Sequence, residues 1–129
     1  MDGVSKGNVK SATERNGWVL GHFVNDPYLN SNLVEVKWGI HQKEANYNIN
    51  DNAFEGNYSA HSMSILIQGS FHIEFRHGER IESIMLENPG DYVVWFPEIE
   101  HRGAAQADNT IILTIRWPSL AGDHFETSK

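Results

Sequence analysis

The chain has 129 residues, enough for one domain with a substantial core and too few for two. Seventeen acidic against ten basic residues give a formal charge of -7, and the basic residues are scattered singly, which excludes nucleic acid and anionic membrane surfaces as partners. Cysteine is absent, so disulfides, thiolate catalysis and cysteine-ligated metal centres are ruled out, and any metal must be held by nitrogen or oxygen.

Residues 1–16 are rich in Ser, Asn, Lys and Glu and read as a flexible tail, leaving one domain over 17–129. No stretch has the apolar run of a signal peptide or a bilayer span, so a cytoplasmic protein is expected, although a cysteine-free chain would equally suit the outside of a cell. From Trp18 onward the chain offers short β-type runs: Trp18–Val24, Leu33–Ile40, His61–Gln68, Phe71–Phe75, Ile81–Leu86, Tyr92–Phe96 and Thr110–Trp117. With no convincing helical run between them, they predict an all-β antiparallel barrel or sandwich. Gln68-Gly69-Ser70, His77-Gly78-Glu79 and Asn88-Pro89-Gly90-Asp91 read as three tight hairpins. Between Gln42 and Ala60 lies a polar segment with five asparagines and the aromatics Tyr47, Phe54 and Tyr58, which reads as a long loop placed to roof a cavity.

Alternation leaves the inside of the sheet open. His61, Met63, Ile65 and Ile67 share one face of their run and look like packing. Ser62, Ser64, Leu66 and Gln68 share the other, which suits either solvent or the wall of a small wet cavity. The last run repeats the pattern, with Ile111, Leu113, Ile115 and Trp117 opposite Thr110, Ile112, Thr114 and Arg116. A polar lumen would require apolar cover outside, from the N-terminal strand or a second subunit, and this favours a homodimer.

Gly90-Asp91, Pro97 and His101 are spaced as in the second motif of the cupin superfamily, which this chain resembles from Leu33 to Pro118, about two thirds of its length. Glu98 stands where that motif carries an internal glycine. The run Ile65–Phe75, a strand, a glycine turn and a returning strand, looks like the end of the first motif. The resemblance implies a cupin-type double-stranded β-helix, or jelly-roll barrel. Metal-binding cupins usually supply two histidines and a glutamate from the first motif and a histidine from the second. Counting back from Gly69 puts Ser62 at the glutamate position and Asn57 and Glu55 at the histidine positions, so His101 alone matches directly. The resemblance therefore leaves the cofactor as one divalent ion (iron, manganese or zinc) or none.

His101 either lines a functional cavity or caps its turn; as an imidazole it would serve as a ligand or as an acid/base. His41 either faces it across a barrel mouth or ends a solvated strand face with Glu35 and Lys37. His61 is a third imidazole, placed for packing or ligation, and a set of His41, His61 and His101 would hold zinc or iron. His41 and Gln68 are candidates to act beside His101 in catalysis. Arg116, on the sparse polar face of the final strand, would clamp a carboxylate or phosphate if it points inward. Trp38, Trp95 and Tyr58 are candidate ligand walls, whereas Glu35, Glu55 and Glu74 read as solvated carboxylates. These features predict a small enzyme acting on a small polar metabolite by isomerisation, dehydration or metal-assisted oxidation, or else a binding module that kept the barrel and lost the chemistry.

Overall fold

Strands form where β-branched and aromatic residues cluster, and the register between them decides which face becomes the interior. The computed structural model describes residues 2–43, 49 and 52–127. In chain order the strands are β1 (Trp18–Leu20), β2 (Glu35–His41), β3 (Phe54–Asn57), β4 (His61–Gln68), β5 (Phe71–His77), β6 (Arg80–Leu86), β7 (Tyr92–Trp95), β8 (Glu100–Ala105), β9 (Thr110–Trp117) and β10 (His124–Thr127). They make two antiparallel five-stranded sheets, ordered β1-β2-β9-β4-β7 and β10-β3-β8-β5-β6. From β6 onward each successive strand joins the opposite sheet, so the chain winds as a double-stranded β-helix, the cupin-type jelly roll.

Two of the expected turns do different work from that predicted. Gly69 lies between β4 and β5, which belong to different sheets, so this turn is a corner and not a hairpin. Gly69 sits at φ 93° with its α-carbon against Thr110, and any Cβ there would collide with that threonine. The Asn88–Asp91 turn also crosses between sheets: Asp91 accepts from the Glu87 and Asn88 amides, while Leu66 N donates to Asp91 O and Gly90 N to Leu66 O. Gly78-Glu79 is the true hairpin, pairing His77 with Arg80.

The polar set of each long strand faces inward. Ser62, Ser64 and Leu66 on β4, and Thr110, Ile112 and Arg116 on β9, are buried, whereas their apolar neighbours stand half-buried on the outer surface. Leu66, Ile73, Phe75, Leu86, Trp95 and Ile112 form the apolar core between the sheets, each worth about 1.5–3 kcal/mol when fully buried. A polar cavity lies beside that core.

Polar residues hide three strands that the apolar pattern does not reveal: β3, β8 and β10. The loop expected over residues 42–60 contains β3, and its residues 44–48, 50 and 51, Tyr47 among them, lie outside the described residues. The segment read as a tail carries a 3₁₀ turn, Val9–Arg15, in which Ala12 is fully buried. Asp123 fastens the turn after β3 by accepting from Asn57 Nδ2 and from the amides of Ser59 and Ala60. Among the described residues no helix is long and apolar enough to cross a membrane.

Glu98, where the resembled motif has glycine, sits at φ 70°, in the left-handed region that disfavours a side chain. Replacing it with glycine should leave stability unchanged or raised in urea denaturation, because relief of strain offsets the added chain entropy. Glu98→Val should cost about 1–2 kcal/mol, since a β-branched side chain tolerates this region least.

Candidate functional site

One backbone pairing builds the centre of the cavity. Strand β3 meets β8 with Glu55 opposite His101, and meets β10 with Glu55 opposite Glu126 and Asn57 opposite His124. Because side chains alternate, Glu55 and Asn57 share the inward face. His101 Nε2 lies 3.3 Å from Glu55 Oε1, and His124 Nε2 lies 3.4 Å from Glu55 Oε2, so one carboxylate is flanked by two imidazoles. His101 is the more enclosed, its side chain 12% exposed against 38% for Glu55. Trp95 packs on the His101 ring at 4.8 Å between centroids.

The opposite wall comes from the first sheet. Lys37, Gly39 and His41 on β2, with Thr114 and Arg116 on β9, line a cavity of about 170 Å³ together with His101 and Trp95. Lys37, Glu55 and Arg116 also line a wider cavity of about 530 Å³ that reaches Trp18, His22 and His124. Gly39 makes room for His41, because a Cβ there would lie 2.8 Å from the His41 Nε2. The Trp18 ring lies 5.1 Å from the Arg116 guanidinium and 5.6 Å from the Lys37 ammonium.

Electrostatics fix the charge states. The hydrogen bond from His101 is the largest influence holding the Glu55 carboxyl down at about 2; the charges of His101, His124 and Arg116 lower it further, and burial opposes them. Burial pushes the His101 imidazole below its ordinary value and outweighs the adjacent carboxylate, which favours the neutral ring. A neutral ring facing an ionised carboxylate carries its proton on Nε2, so Nδ1 holds a lone pair. Burial also lowers Lys37, with Arg116 adding repulsion, and lowers His41, with Lys37 adding repulsion. Burial draws the Arg116 guanidinium below its ordinary value, yet it remains charged.

The expected residues scatter more widely than the sequence suggested. His41, Trp95, His101 and Arg116 line the cavity. His61 lies on the outer face, stacked on Trp117 at 5.7 Å and edge-on to Phe96, because its parity is that of Met63 and Ile65. Trp38 is likewise on the outer face of β2, in a groove with Val9 and Ile40. Gln68 has inward parity but lies past the register shift at the end of β4, where its amide donates to Asn109 O. Tyr58 is exposed and packs on Phe125 at 4.6 Å. Of the carboxylates read as solvated, Glu35 is buried and lines the wider cavity, while Glu74 pairs with Arg102 at 3.0 Å. Glu55 is central and was misread. His124 and Lys37 were missed, though Lys37 shares the parity of His41 and Glu55 falls at a ligand position when counted back from Gly69.

The expected three-histidine metal set does not form, since His61 faces away. Asn57 and Ser62, which hold two of the resembled ligand positions, offer weak donors, and the Arg116 charge couples to Glu55 in the same cavity. Glu55, His124 and Glu126 do bring three candidate ligand atoms within 4.8 Å of one another. In that group Glu55 also lies against His101, so its carboxylate sits between two imidazoles.

No family model matches the sequence, and no curated protein matches it. Among solved structures, a double-stranded β-helix protein from Klebsiella pneumoniae is similar over 87% of this chain and 82% of its own, with TM-score 0.61 and 18% identity. The WlaRB TDP-quinovose 3,4-ketoisomerase from Campylobacter jejuni is similar over 71% of this chain and 68% of its own, with TM-score 0.60 and 14% identity. A double mutant of the QdtA 3,4-ketoisomerase from Thermoanaerobacterium thermosaccharolyticum, in complex with TDP, is similar over 70% of this chain at TM-score 0.59 and 14% identity; the match spans 63% of the QdtA chain, under two thirds of it. Likeness at these identities carries the cupin-type fold.

His101 and Glu55 each bind fewer protons in the folded chain than in the unfolded one, so each makes stability fall with acid. Loss should begin below the ordinary 6.5 of His101 and continue, for Glu55, between its ordinary 4.5 and about 2. Thermal melts across pH should show both limbs, and Glu55→Gln should flatten the lower one.

Proposed function

We propose that the chain is a cytoplasmic enzyme that moves a proton on a small polar metabolite, as in isomerisation or dehydration. The observation that carries this reading is the approach of His101 Nε2 to within 3.3 Å of the Glu55 carboxylate inside a polar cavity. Glu55 holds the tautomer, so Nδ1 is the base. When Nδ1 takes a proton from a substrate carbon, the imidazolium that forms is stabilised by the adjacent carboxylate. Lys37 and Arg116 stand on the opposite wall, where negative charge developing on substrate oxygen would meet two cations. The same imidazolium then returns the proton to a neighbouring atom of the substrate or to a leaving hydroxyl. Two of the similar structures are named 3,4-ketoisomerases, and acid–base isomerisation is the class of reaction this pair would serve.

This chemistry draws on groups of the chain itself. Once a substrate is identified by screening, His101→Gln should lower kcat by a factor of about 10²–10⁴. Glu55→Gln should lower it less and shift the acid limb of the pH–rate profile, and EDTA should leave turnover unchanged. Full activity in His101→Gln would remove His101 from the reaction, whereas ligand binding without any turnover would leave a non-catalytic binding module as the better account.

We also infer a homodimer. The outer face of the first sheet exposes Ile40 at 50%, Tyr92 at 61%, Val94 at 50% and Phe96 at 71%, a band of apolar surface whose natural cover is the same face of a second copy. Sedimentation equilibrium should give a dimer, and Val94→Lys with Phe96→Asp should give a monomer.

A further inference from the structure

Among the described residues, four buried side-chain atoms lack a hydrogen-bond partner: Asn57 Oδ1, Ser62 Oγ, His101 Nδ1 and Arg116 Nε. They fall together in the barrel. Arg116 and Asn57 line the wider cavity, Arg116 and His101 the narrower one, and Ser62 pairs in register with Arg116. An unmet buried polar group is destabilising, so such a concentration beside a cavity calls for a ligand that meets them.

The unmet groups specify complementary chemistry. Arg116 Nε–H is a donor on a fixed cation that is 8% exposed and lies over the Trp18 ring. It calls for an acceptor, and a carboxylate meets a guanidinium most strongly. Asn57 donates its Nδ2 to Asp123, which turns Oδ1 away as an acceptor. His101 is an acceptor at Nδ1 because its Nε2 faces a carboxylate. Both acceptors require hydroxyl or other donor groups on the ligand.

We propose that the ligand of this barrel is a small hydroxy acid, its carboxylate on the Arg116 guanidinium and a hydroxyl on Asn57 Oδ1, leaving the reacting position against His101. This rests on the acid–base reading of His101 given above and supplies its substrate class. A carboxylate suits the site better than a phosphate dianion, because Glu35, Glu55 and Asp123 all act on the same guanidinium and would oppose a second negative charge. Lys37, over the same Trp18 ring, supplies a second cation.

Tryptophan fluorescence and calorimetry with the intact protein test this, using gluconate, glucuronate and malate against hexanoate, sorbitol and inorganic phosphate. At least one hydroxy acid should bind at least tenfold more tightly than hexanoate, sorbitol and phosphate. Arg116→Lys should weaken it about tenfold and Arg116→Gln further, with Asn57→Asp also weakening it. In the wild type, where folding is not at issue, the Arg116 Nε–H resonance should shift on saturation by that acid. Binding of none of the three acids, tighter binding of phosphate or hexanoate, or an unmoved Arg116 resonance would overturn the proposal. The two readings fail separately. A hydroxy acid that binds through Arg116 without turnover sinks the acid–base reading alone, whereas His101-dependent turnover of a neutral substrate, with no hydroxy acid bound, sinks this one alone.

Discussion

The pairing of Glu55 with His101 across β3 and β8 is the constraint on which the cavity depends. It joins β3, and through it the edge strand β10, to the rest of the second sheet. It also sets a carboxylate 3.3 Å from an imidazole that burial would otherwise leave unsatisfied. A one-residue slip would turn Glu55 and Asn57 outward and bring Phe54 and Gly56 into the cavity. The contact therefore joins backbone register to side-chain chemistry: the carboxylate orients the ring, and the ring keeps the carboxylate ionised.

The barrel is polar inside and apolar outside along much of its first sheet. Glu35, Lys37 and His41 share the inward face of β2, while Val36, Trp38 and Ile40 face out. Such an arrangement is costly for an isolated chain, because charged groups lose hydration while aliphatic ones gain it. A ligand that answers the inner groups and a partner that covers the outer ones would offset the two costs separately. The acidic net charge of the chain makes the inward placement of Lys37 and Arg116 more telling, since these cations serve the interior and not the surface.

Much of this was legible in the sequence, and the remainder was obscured for physical reasons. The runs at β4 and β9 match the strands residue for residue, because strict alternation needs no tertiary context to be read. The choice of face was not readable there, since a polar lumen and a solvent face have the same pattern. Strands β3 (Phe54–Asn57) and β8 (Glu100–Ala105) escaped notice because their inward positions carry Glu55, Asn57, His101 and Gly103, so the residues that make the site also erase the apolar signal of the strand. Gly69 and Gly90 announced turns, but nothing local tells a hairpin from a corner between sheets. Glu98 shows the reverse case: the residue standing where the resembled motif has glycine takes up a backbone angle that favours glycine.

The central claim is that His101 is a neutral ring with its proton on Nε2 and a free lone pair on Nδ1. Nitrogen-15 NMR of the histidine rings, followed across pH, tests it most directly. Nε2 should show the protonated and Nδ1 the unprotonated shift at neutral pH, with titration only below the ordinary 6.5. A proton found on Nδ1, or a ring that stays charged above 6.5, would contradict the account.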